Sequence, residues 1–218
     1  FPAVASPQLG SILLLLGFVS LVGMPYSVLM PMIAGKVLHG GPHTLGFLMG
    51  AAGVGALAAA IALAVRQTIL GLDKLIPISA TVFGVALIGV GLSRNVWLTL
   101  PLMLLAGFGM MQQLAASNTI LQTVSGDQER GRVMSFYTMA VVGITPFGSL
   151  LAGAAAARIG APETLRWGGF CCLLGAALFA WNLPRLRRAI HPAPARLGVI
   201  PEIATSLQAA SSLQVLDE

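Results

Sequence analysis

Asp127-Gln-Glu-Arg-Gly-Arg-Val-Met-Ser-Phe-Tyr137 decides how the rest of the chain is read. Four ionisable side chains, Asp127, Glu129, Arg130 and Arg132, fall within six residues, and the next 25, 133–157, carry no charge. A water-side loop running straight into such a stretch is the pattern of a chain entering a membrane helix. About 20 residues at ~1.5 Å rise each are enough to cross a hydrocarbon core. Small residues are frequent along this helix, and Pro146 breaks it.

The same pattern repeats on either side. Residues 1–35, 37–65, 75–93, 95–126 and 167–184 are also free of charge. None shows the period-two alternation of a barrel strand, and in lipid the backbone must bond within its own segment or in a closed barrel. The sequence therefore predicts an all-α membrane protein with six transmembrane helices near 9–34, 45–65, 75–92, 96–121, 133–157 and 165–184. Composition agrees: 56% of the 218 residues are hydrophobic and 9% are charged, against roughly 25% charged in soluble domains. So few charges cannot hydrate the surface of a soluble globule this large.

The net charge of +5 reflects scarce acids rather than a nucleic-acid surface, because no basic patch is interleaved with stacking aromatics. Nucleic acid is not an expected partner; the lipid bilayer is. The chain begins at Phe1 without a signal-peptide layout and reads as a piece of something longer. Cys171 and Cys172 are adjacent in an apolar run and read as small packing residues. His39 and His43 flank a Gly-Gly-Pro turn and read as solvated. No nucleophile–base pair, metal-ligand spacing or phosphate loop is present, so we expect no enzyme, no cofactor and no metal. The cluster Gly50-Ala-Ala-Gly53-Val-Gly55 lies within a span, follows no strand and precedes no lysine.

Basic residues set the orientation. Arg66, Lys74, Arg130, Arg132, Arg185, Arg187, Arg188 and Arg196 fall on one side, and Lys36, Arg94, Arg158 and Arg166 on the other. Eight against four places both ends of the segment and the Asp127 loop in the cytoplasm. The expected domains are a six-helix bundle over 1–184 and a basic, Pro-containing, mostly flexible cytoplasmic tail over 185–218.

Without a hydrophobic drive between helices in lipid, small residues that permit close approach mark the seams. Four-spaced rows predict them: Gly46/Gly50 and Ala52/Ala56/Ala60/Ala64; Gly148/Ala152/Ala156 beside Ser149/Gly153/Ala157; and Gly168/Cys172/Ala176/Ala180. Pro25 and Pro31 are expected to kink the first helix and Pro146 the fifth, as plain structure or as bending points of a transport cycle.

Arg130-Gly-Arg-Val-Met-Ser-Phe-Tyr137 followed by Gly143-x-x-Pro146-x-Gly148-Ser-Leu-Leu-Ala-Gly153 resembles the loop between helices ten and eleven, plus helix eleven, of the major facilitator superfamily. The branch it resembles holds the enterobactin-exporter-like and macrolide-efflux-like proteins, the transmembrane secretion effectors. Gly23-Met-Pro-Tyr26 with Leu29-Met-Pro31 is similar to that branch's seventh helix. Leu45-Gly-Phe-Leu48 leading to Gly53-Val-Gly-Ala-Leu57 is similar to its eighth. The similarity covers roughly residues 8–184, and the loop 66–74 keeps only a trace of the family's Gly-x-x-x-Asp-Arg signature.

The resemblance implies the C-terminal six-helix half of a twelve-helix transporter in a bacterial inner membrane. Its partners would be a missing N-terminal half and a small-molecule substrate, drug- or siderophore-like, exported by alternating access. The alternative is a truncated or non-transporting membrane scaffold. In the family, the first and fourth helices of each half face the central cavity. That nominates Tyr26, Gln112, Gln113, Asn118 and Thr145 as cavity residues, with interhelical hydrogen bonding as the competing role of each. No span has an ionisable side chain at its middle, so a coupling carboxylate is expected in the other half. In the loop, Asp127, Arg130, Gly131 and Arg132 are the gate candidates. Asp127 would cap the helix that starts after it; the arginines either anchor the chain at the inner surface or latch the inward gate by ion pairs.

Overall fold

The structure is a computed structural model that describes residues 7–66, 71–125 and 129–190. Among these residues it is helical throughout, without a strand. Helix α1 (Pro7–Val22) is followed by α2 (Tyr26–Met32), which continues into a π-helical turn at Ile33–Val37. Then come α3 (Pro42–Ala64), α4 (Leu72–Leu92) and α5 (Val96–Val124). Helix α6 (Arg130–Thr138) passes through a second π turn (Met139–Gly143) into α7 (Thr145–Ile159), and α8 (Ala161–Ile190) closes the fold. Six stretches are long and apolar enough to cross a bilayer: Gly10–Val37, Pro42–Ala64, Leu72–Leu92, Val96–Val124, Arg130–Ile159 and Ala161–Asn182. Large apolar side chains, Trp97, Trp181, Leu14 and Leu150 among them, are exposed around the outside, as expected where lipid is the solvent.

The six crossings stand where the sequence puts them, but the second, third, fifth and sixth helices begin three or four residues early. The cause is physical. The second crossing starts on Pro42, whose missing N–H suits a first helical position. In the other three, Arg130, Arg132, Asp73 and Glu163 lie in first turns, and helices extend into the headgroup layer, where charge costs little. Boundaries drawn at the charges therefore fall inside the helices.

Helix α5 packs between α3 and α4, and α4 packs against α8. Glycine makes these contacts backbone-to-backbone. Gly107 rests on the Ala52 carbonyl, Gly55 on Leu104, Gly109 on Ser79 and Phe83, and Gly84 faces Gly169. The four-spaced rows only partly match the seams. On α3 the buried line is Leu48, Ala52, Gly55 and Ala59, while Gly46, Gly50 and Gly53 face open space. On α8 Leu165, Gly168, Cys172, Ala176 and Phe179 are buried and Ala180 is exposed. On α7 Gly148 and Ala156 face inward and Gly153 and Ala157 outward. At 3.6 residues per turn a strict four-spacing drifts about 40° per step, so only alternating threes and fours hold one face.

Two crossings are broken. Pro25 lacks the N–H that would bond the Leu21 carbonyl, and residues 23–25 form a turn held by Gly23 N–H donating to Val19 O at 2.7 Å. The backbone of Gly148 fits against the Leu21 carbonyl and leaves no room for a side chain. Pro31 lies inside α2 without breaking it, and the ladder loosens after it, where Leu38 N–H reaches back five residues to Ile33 O. In the fifth crossing the disturbance precedes the proline: Ile144 N–H also reaches back five, to Met139 O. Pro146 itself occupies the first turn of α7, where a missing N–H costs nothing.

Candidate functional site

Depth brings the irregular features together. Residues 23–25 lie at the middle of Gly10–Val37, and Thr145 lies at the middle of Arg130–Ile159. Gln112 and Gln113 lie two or three residues past the middle of Val96–Val124, about 3–5 Å along the axis. Both helix breaks and the amide pair thus share one level of the bundle. The breaks also touch: Thr145 Oγ1 lies 3.4 Å from Met24 Sδ and donates to Val141 O at 2.5 Å. Its hydroxyl thereby satisfies a carbonyl within the π turn. Tyr26, half-buried, sets its ring edge-on to Phe83 at 5.9 Å and 76°. Phe83 in turn lies beside Gly23 and Gly109, so Tyr26 links the first break to the core of α4 and α5.

The glutamines are the most unusual polar groups here. Gln112 and Gln113 are buried, as is Ser117 one turn further on. Gln112 Oε1, both polar atoms of the Gln113 amide and Ser117 Oγ are fully enclosed without a hydrogen-bond partner in the protein. An enclosed amide or hydroxyl without a partner costs about 1–3 kcal/mol.

Asn118 belongs elsewhere. Its Oδ1 accepts from Gln122 Nε2 at 2.7 Å, and Gln122 Oε1 accepts from Arg130 Nη2 at 2.5 Å. Arg130 therefore ties the start of α6 to the end of α5 through a neutral amide. Tyr137 adds a second tie from α6, donating to Leu114 O at 3.3 Å. Gly131 and Arg132 are exposed on α6. Gly131, Met134, Ser135, Thr138, Met139, Val142 and Gly143 line a shallow open groove along the fifth crossing. Asp127 lies outside the described residues. So do 191–218, and with them the tail beyond α8.

Of the cavity candidates, Gln112 and Gln113 share with Ser117 their burial and lack of a protein partner, while Tyr26 and Thr145 sit at the helix breaks at the same depth. Asn118 joins the Arg130 tie. Sequence reading missed Ser117 and Gln122, although the four-residue spacings Gln113/Ser117 and Asn118/Gln122 are the signal for side chains sharing a helix face. Tyr137 and Met24 had no local signal, because their partners lie on other helices. Among the described residues no group of three or more His, Cys, Asp or Glu could hold a metal.

Residues 3–211 match the transmembrane secretion effector family. Among curated proteins, the staphyloferrin A transporter of Staphylococcus aureus (strain NCTC 8325 / PS 47) is 29% identical over 129 residues, which is 59% of this chain and 32% of that transporter. The match thus spans about a third of that relative's length.

Proposed function

From the premise that this chain belongs to the transmembrane secretion effector family of the major facilitator superfamily, a multi-pass transporter family, we propose that it is the C-terminal six-helix half of a secondary transporter. In this reading it exports small amphipathic, siderophore- or drug-like molecules by alternating access across a bacterial inner membrane, with both ends of the segment in the cytoplasm. One observation carries the reading. Two crossings break at mid-depth, at the level of a buried amide pair on a third. Substrate sites of secondary transporters lie near the midplane, where helices are discontinuous.

The parts divide the work by their mechanics. Helices α3, α4, α5 and α8, joined by glycine contacts that cannot slide without collision, turn as a body. The first and fifth crossings bend at residues 23–25 and 139–145, where ladder bonds are already missing or shifted. Arg130, Gln122 and Asn118 hold the inner ends of α5 and α6 together when the inner side is closed, and letting go frees α6.

The test uses the full-length protein in proteoliposomes with Cys171 and Cys172 replaced by alanine, assayed on a panel that includes staphyloferrin A. Cysteines at 123 and 129, next to the tie but not part of it, are then bridged by a bifunctional thiol reagent with a cleavable disulfide. At least one panel member is expected to be transported, with transport stopping on bridging and returning on reduction. Transport of nothing in the panel, or transport indifferent to the bridge, overturns the proposal.

A further inference from the structure

The enclosed polar atoms of α5 have a definite chemistry. Gln112 Oε1 and Gln113 Oε1 can only accept hydrogen bonds, Gln113 Nε2 can only donate, and Ser117 Oγ does both. A group that satisfies all of them must itself donate and accept. An ionised carboxylate has nothing to donate, and an ammonium group has nothing to accept with. A hydroxyl does both. Turning either amide end for end leaves both kinds of atom in place.

Charge points the same way. Residues 95–126 carry no ionisable side chain, so an ionised group held at this depth would lack a counter-charge on α5.

Access can be read from exposure along one face of α5. Leu98, Leu105 and Gln112 fall on a single stripe, seven residues apart. Leu98 is 56% exposed and Leu105 45%, whereas Gln112 is 5%. The stripe is open through the outer half of the helix and closes about 10 Å further along, at the amide pair.

We propose that Gln112, Gln113 and Ser117 form a subsite for an uncharged, hydroxyl-bearing group of the transported molecule, reached along the Leu98 and Leu105 face. The subsite rests on the transporter reading above and specifies the substrate chemistry it would take. Each hydroxyl has one hydrogen, so satisfying both glutamine oxygens takes two ligand hydroxyls, as in a diol.

The test uses full-length protein lacking Cys171 and Cys172 and carrying Leu105→Cys, in lipid nanodiscs. The readout is the rate of labelling by N-ethylmaleimide. The probes are 1-O-octylglycerol, its 2,3-dimethyl ether and octyltrimethylammonium. The diol is expected to slow labelling at least about threefold, with neither the ether nor the ammonium doing so. Gln113→Met should abolish the protection while leaving the unfolding midpoint unchanged or higher, because it removes a polar group that no protein atom satisfies. Three outcomes overturn the subsite: equal protection by the ether, protection surviving Gln113→Met, or a lowered midpoint in Gln113→Met, which marks Gln113 as a structural hydrogen-bonder. Transport is measured on the same preparations in vesicles. Transport without diol-dependent protection removes the subsite alone; protection without transport keeps it as a binding site and removes the carrier reading.

Discussion

Helices α3, α4, α5 and α8 and the broken pair α1/α2 and α6/α7 are built from much the same residues and behave as opposites. In the first group glycine lies under a neighbouring backbone: Gly107 under Ala52, Gly55 under Leu104, Gly84 opposite Gly169. In the second, glycine and proline fall where the helical ladder is interrupted, at residues 23–25 and around the Met139–Gly143 turn. The same small residues accompany close helix seams in one region and interrupted ladders in the other. Close packing alone does not separate them, since Gly148 of α7 is seated on the Leu21 carbonyl much as Gly107 is on Ala52. What separates them is whether the helical ladder around the small residues is intact or interrupted.

The sharpest way to break this contrast is Gly107→Val. A side chain there collides with the Ala52 backbone, which cannot move aside as a flexible side chain can. Overpacking costs about 1–3 kcal/mol and occasionally more, so the variant should lose most of its folded yield and unfold at a clearly lower temperature in detergent. A well-folded Gly107→Val would show that the scaffold is softer than its contacts imply.

Pro146→Ala tests the bending region. Pro146 sits in the first turn of α7, so alanine adds an N–H there without filling any packed space. Stability should change by less than about 1 kcal/mol. Transport, in the reading above, should fall several-fold as the crossing straightens. Unchanged transport would mean that the break is structural only.

Gln122→Ala removes the amide between Asn118 and Arg130. The expected loss is about 1 kcal/mol of stability, with faster thiol labelling at the start of α6. Gln122→Glu should restore the tie by pairing directly with Arg130. Failure of that rescue would disconnect Arg130 from the gate.

The smallest effect is expected at Gly153→Ala. Nothing lies near that position, so stability should stay within about 0.5 kcal/mol. A marked loss, seen only in the full-length protein, would locate a partner surface on α7.

The candidate site was legible in part. Gln112 and Gln113 stand out because amides are rare within an apolar run, and that signal is local. Their lack of protein partners was not legible, since the helices that could supply partners are remote in sequence. Asn118 looked like a third member until Gln122, one turn away, proved to hold its oxygen. The neutral amide that Gln122 offers Arg130 was not legible for the same reason.

Charge spacing alone determined that this chain crosses a membrane six times. Ionised side chains cannot sit in hydrocarbon, and the gaps between them measure its thickness. Tertiary structure alone decided which small residues form seams, where the broken crossings meet and which amides remain unpartnered. Those depend on the rotation of each helix about its axis, and a chain that is apolar nearly all round gives no hydrophobic face to fix that rotation in advance.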